Sequence, residues 1–182
     1  MAKALILALA LFLCLSPGVS AKNGITVLDY SDSSVWGDAI PAGIKAWNEV
    51  PGVNFRYKRM SGRCPQWKNV KAGAVFICSE TMKYMGGTLA HMHVIKMTLS
   101  DQAHLRQPEE RAGTICHELG HALGLNAHYP QGSPSCRADG SPTGTPQAWD
   151  IRDWTERQAE NRQDKKQAKA HAADRRHRQS GK

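Results

Sequence analysis

The sequence predicts an α+β fold. Short runs rich in β-branched and aromatic residues alternate with amphipathic stretches in the order β, α, β, β, β, α. The second helical stretch puts Ile115, Leu119, Ala122 and Leu123 on one apolar stripe, so it buries one face and leaves the other open. A loop rich in Pro, Gly and Ser (residues 130–146) then separates this helix from a last helical segment.

The first 21 residues are set apart from that fold. Met1-Ala2-Lys3 starts the chain with a positive charge, Ala4 to Leu15 is apolar, and Val19-Ser20-Ala21 is small. This is the layout of a secretory signal peptide, with Ala21 the last residue removed. The apolar run is about a dozen residues, short of the roughly 20 needed to cross a bilayer. A single membrane anchor is the alternative, and Pro17-Gly18 argues against it. No later segment is apolar enough to span a membrane, so a soluble, secreted protein (extracellular or periplasmic) is expected, with residues 22–158 forming one domain.

Gly24 to Tyr30 reads as a first strand. Val35 to Glu49 reads as a helix, because Ile40, Ile44, Trp47 and Val50 recur at helical spacing until Pro51-Gly52 stops it. Val53 to Lys58 alternates apolar and polar, as a half-buried strand does, and Ala74 to Cys78 is another short strand. Thr88 to Leu99, after Gly86-Gly87, is the longest β-like run. Pro108 fits the first position of the next helix, and Glu109 and Glu110 suit its positive end. That helix should stop near Gly124. Gln147 to about Gln158 reads as a closing helix with Trp149, Ile151 and Trp154 available for burial. Residues 159–182 lack large apolar side chains and are expected to be a charged helix or disordered.

Cys14 leaves with the signal, and Cys64, Cys78, Cys116 and Cys136 remain. Four cysteines in an exported chain read as two disulfides with three possible pairings. Cys64–Cys78 with Cys116–Cys136 closes modest loops and is favoured; free thiols or a Cys-containing metal site are the alternatives, and no CxxC supports the latter.

His117-Glu118-Leu119-Gly120-His121 is the constellation that carries chemistry. Residues four apart on a helix share a face, so both imidazoles can reach one ion, and neutral imidazole is a good zinc ligand. Glu118, beside the first ligand, can take a proton from metal-activated water and pass it to a leaving amine. His117 and His121 are thus candidate metal ligands and Glu118 the candidate general base of metal-assisted amide hydrolysis. Gly124 lets the chain turn sharply back, which makes His128 the best third ligand, ahead of Asp139, Asp150 and Glu156.

The run from His117 to Gly124 resembles the core of the metzincin zinc peptidases, and Gly124-Leu125-Asn126-Ala127-His128-Tyr129 resembles the third-ligand stretch of small secreted bacterial members of the snapalysin or matrixin-like type. The specific part of this likeness is Ile115 to Tyr129. It implies a twisted mixed sheet, a helix behind it, an active-site helix below the edge strand, one catalytic Zn2+ and a protein or peptide substrate. It also implies that an extended substrate adds to the Thr88–Leu99 strand. Two positions depart from the family. Its third ligand falls at Ala127, which cannot bind metal, so that His128 is one residue late. Its methionine turn is missing as well, since no methionine follows Met97, and Arg137 of Ser135-Cys136-Arg137 stands where methionine would. A catalytically impaired relative is therefore one competing reading.

Weaker signals remain. His91 and His93 alternate on the long β-like run and could join a second metal; a structural Ca2+ or second Zn2+ is left undetermined. Net charge is +8, and residues 155–182, with nine Lys/Arg against four Asp/Glu, supply +5 of it. A polyanion-binding protein acting through this tail is the other competing reading. No aromatic residue interleaves the charges and no nucleic-acid fold is evident, so no nucleic-acid partner is expected, and the chain is expected to be a monomer.

Overall fold

The computed structural model describes residues 24–66, 69–70, 73–81, 86–91, 94–101, 107–139 and 143–180. The expected signal peptide, Trp67 and His93 lie outside them. Five strands and four helices follow in the order β1 (Ile25–Tyr30), α1 (Ser33–Trp36), α2 (Ala39–Asn48), β2 (Phe55–Arg59), β3 (Ala74–Glu80), β4 (Gly86–His91), β5 (Val94–Ser100), α3 (Pro108–Ala122) and α4 (Ala148–Ser180). The strands form one mixed sheet in the order β2-β1-β3-β5-β4. β2, β1, β3 and β5 run parallel, and β4 is an antiparallel edge. The chain is α+β.

Three expectations about elements need correction. The run from Thr88 to Leu99 is not one strand but a hairpin, with Thr88 opposite Met97 and His91 opposite Val94. A single strand would be about twice the usual five to six residues. Folding back lets Ile95, Met97 and Leu99 face the core while β4 closes the edge. The helix expected over 35–49 is two helices. Asp32 caps the first by accepting from the Ser34 N–H at 2.9 Å, and a fresh start follows Gly37-Asp38. The last helix does not close near Gln158 but runs on to Ser180. Its residues 159–173 include Ala, Gln, Lys and Arg, which favour helix without any packing. In that helix Trp154 is buried, Trp149 half-buried and Ile151 exposed.

One main core lies between the sheet and α2, α3 and the start of α4. Ile25, Val27, Trp36, Ile40, Trp47, Val75, Ile77, Met97, Ile115, Leu119 and Trp154 all belong to it. Helices α2 and α3 come very close at Gly43, where a Cβ would sit 2.4 Å from Ile115 Cγ2. The buried tryptophans also satisfy their N–H groups. Trp36 donates to the Ser100 carbonyl at 2.9 Å, Trp47 to Cys116 at 3.0 Å and Trp154 to Pro51 at 3.0 Å. The opposite sheet face carries a smaller cluster of Phe76 and Cys78 under Leu28, Tyr30, Cys64 and Val70.

Disulfides join Cys64 to Cys78 and Cys116 to Cys136. The first ties the segment after β2 onto β3, and the second ties the loop before α4 to α3. Disulfides persist in oxidising compartments, which fits an extracytoplasmic location. Among the described residues no helix is long and apolar enough to cross a membrane.

Candidate metal centre

Helix α3 is built to hold its histidines in fixed positions. Pro108 begins it, and the Glu110 carboxylate reaches back to accept from the Gln107 N–H at 3.0 Å. Ile115, Cys116 and Leu119 are fully buried, so the opposite side of the helix is left to His117 and His121. Its C-terminus is closed by two bonds, Gly124 N–H to the His121 carbonyl at 2.8 Å and Leu125 N–H to the Gly120 carbonyl at 3.1 Å. That closure requires the left-handed conformation found at Gly124, φ +84°. The chain then reverses and returns His128 to the helix face.

His117, His121 and His128 converge. Their ligand atoms lie within 4.8 Å of one another, and the ring centroids are 4.7, 4.8 and 4.8 Å apart pairwise. The Nε2 atoms of His117 and His121 are 3.0 Å apart. Three imidazole nitrogens grouped in this way could hold a metal ion, and neutral imidazole is a good ligand for zinc. His121 Nδ1 faces the Leu125 carbonyl at 2.8 Å, which fixes the tautomer and leaves Nε2 for a metal. The backbone of Cys136 also hydrogen-bonds the His117 ring. Burial, and then the neighbouring His121, His128 and Arg137, push the His117 pKa down to about 4. Burial also lowers that of His121. Both rings are therefore neutral at physiological pH, as metal ligation requires.

Glu118 reaches the edge strand of the sheet. The residue is 6% exposed, and its carboxylate accepts from Thr88 Oγ1 of β4 at 2.6 Å. Burial raises its pKa to about 7, against the opposing effect of the Thr88 hydrogen bond. The approach of β4 depends on Gly86, where a Cβ would meet Thr114 Cγ2 at 2.9 Å and Glu118 Cγ at 3.2 Å. Thr88 belongs to the site, and nothing in the sequence marks it beyond its place on a β-like run.

Beside the histidines lies a buried ionic network centred on Arg137. Arg137 is fully buried. Its Nε donates to Asp150 at 2.9 Å, one Nη to Asp153 at 2.6 Å, and the other Nη to the Ala127 carbonyl at 3.0 Å. Asp150 also accepts from Ser135 Oγ, Cys136 N–H and Gln147 N–H. Tyr129 donates to Asp153 and lies under the guanidinium. Gly120 makes room, since a Cβ there would lie 2.8 Å from Arg137 Cδ. The network thus grips the backbone on both sides of His128. Ala127 contributes its carbonyl to the network, and this loop path brings His128 to the other two histidines.

The other candidate ligands fall elsewhere. Asp150 is consumed by the Arg137 network, and Glu156 is exposed on α4 beside Arg152. Asp139 stands 3.8 Å from His128 Nδ1, next to a ligand candidate but outside the histidine group. Of the two histidines expected on one strand, His91 ends β4 and His93 lies outside the described residues. The chain matches no protein-family model and no curated protein.

Proposed function

We propose that this chain is a secreted zinc-dependent endopeptidase of metzincin type. The observation that carries the reading is the convergence of His117, His121 and His128, with a buried acid, Glu118, next to His117 on the same helix. The three histidines would hold the ion. When bound, Zn2+ supplies Lewis acidity and lowers the pKa of a coordinated water toward 7. Glu118, with a pKa already near 7, is matched to accept a proton from the attacking water and return it to the leaving amine. Thr88 holds one carboxylate oxygen and leaves the other for this transfer. The β4 edge, beside Glu118, is where an extended peptide would pair its backbone.

Ala127 favours an impaired relative as the second reading, because it vacates the family's usual ligand position. The convergence of His128 supports the active reading instead. A peptidase assay on unfolded protein separates the two. The wild type should cleave, lose activity to a chelator and regain it with zinc. Glu118→Gln should keep its metal yet lose on the order of 10²–10⁴-fold in rate. A Glu118→Gln protein as active as the wild type, or a zinc-loaded wild type without activity, contradicts the proposal.

A further inference from the structure

We infer that one face of α4 is a docking stripe for an acidic polysaccharide. The helix is 33 residues long, about 50 Å, and residues 162–176 are exposed throughout. At 3.6 residues per turn, Arg162, Lys165, Lys166, Lys169 and Arg176 fall within about 100° of arc and extend over about 21 Å. Glu156, Glu160, Asp164 and Asp174 all lie at least about 130° from the centre of that stripe. The stripe carries cations alone, while Arg157 and Arg175 lie with the carboxylates on the rest of the helix.

Segregation is the informative feature. A helix that is merely solvated gains from opposite charges three and four residues apart. Here the neighbours at those spacings along the stripe are other cations: Arg162 with Lys165 and Lys166, Lys165 with Lys169, and Lys166 with Lys169. Such like-charge pairs destabilise an isolated helix, and a row of bound anions relieves the repulsion. The stripe therefore fits a linear partner that carries anionic groups and touches one side of the rod.

The chemistry of the flanks narrows the partner. Gln158, Ala159, Ala172 and Ala173 border the stripe, so it lacks the large apolar residues with which interfacial helices enter a bilayer. Residues 155–180 contain no aromatic on which single-stranded bases stack. A helix in a duplex groove faces phosphate on both flanks, and the carboxylate side of α4 would oppose one of them. The two disulfides fit an oxidising, extracytoplasmic setting, where such polymers occur. A carboxylated or sulfated polysaccharide meets all of these conditions. Nothing in this inference depends on the metal centre.

The test relocates charge without changing it. In the full chain, Lys166→Gln and Lys169→Gln are combined with Gln163→Lys and Gln167→Lys, which moves two cations to the carboxylate side at constant composition. Binding is measured to heparin, polygalacturonate, a DNA duplex and phosphatidylserine vesicles, and helix content by circular dichroism. The wild type should bind both polysaccharides in a salt-sensitive manner and more tightly than DNA or vesicles. The relocated variant should bind them about tenfold or more weakly at unchanged helicity. If relocation disturbs the helix, Arg162→Gln with Arg176→Gln tests the two ends of the stripe and should also weaken binding. Equal polysaccharide binding by the wild type and the variant that keeps its helix, tighter binding of DNA or vesicles, or no polysaccharide binding at all would overturn the inference.

Discussion

Glu118 and His117 are adjacent on α3, yet burial moves them in opposite directions on the pH scale. The folded pKa of Glu118, about 7, lies above its ordinary 4.5. Its contribution is fully present below pH 4.5 and is lost as pH rises through 7, a swing of about 3 kcal/mol in the metal-free protein. The folded pKa of His117, about 4, lies below its ordinary 6.5, so its contribution is present above 6.5 and lost as pH falls toward 4. Over the shared window the two oppose each other. Metal-free Glu118→Gln should therefore be more stable than wild type at pH 7.5, and its stability should climb from pH 4 to 6.5 where that of the wild type changes little. Urea denaturation across pH reads this out, and parallel curves for the two proteins would refute the opposition. At the same scale, Arg137→Met should cost about 3–5 kcal/mol, because it leaves Asp150 buried with its charge uncompensated. A loss below about 1 kcal/mol in the same titration would show that the network is dispensable.

Among the elements, α3 and the loop that follows it decide the site, and the Cys116–Cys136 disulfide joins them directly beside His117 and Arg137. Replacing both cysteines with alanine should cost about 3 kcal/mol through the freed loop. It should also weaken zinc binding, because the loop beneath the histidines is released. Calorimetric melting and a zinc titration measure the two effects, and unchanged zinc affinity would show that the loop is held without the bond. Much of this element was legible in the sequence. The HExxH spacing, the apolar stripe and Gly124 together located the helix, its exposed face and the turn that returns His128. What escaped depends on distance along the chain. Thr88 is 30 residues from Glu118, and the partners of Arg137 lie 10 to 16 residues away across an irregular loop. No local periodicity reports such contacts. The β4–β5 hairpin was hidden because Met92 and His93 carry none of the Gly, Asn or Asp signals of a tight turn.

Taken whole, the molecule divides into a packed body and a projecting helix. Among the described residues the last buried side chain of α4 is Trp154, and residues 162–176 are exposed. Deleting residues 162–182 should therefore shift the melting temperature by no more than a few degrees, since no apolar surface leaves the core. A collapse of the fold on deletion would show that the helix supports the body. The histidine centre lies wholly within that body, so the same deletion should leave zinc binding intact.

The most direct test of the central claim is the zinc content of the purified protein, wild type beside His128→Ala. A three-histidine centre predicts about one zinc per chain in the wild type and a sharp loss in the variant. Full zinc in His128→Ala, or none in a zinc-supplemented wild type, would contradict it.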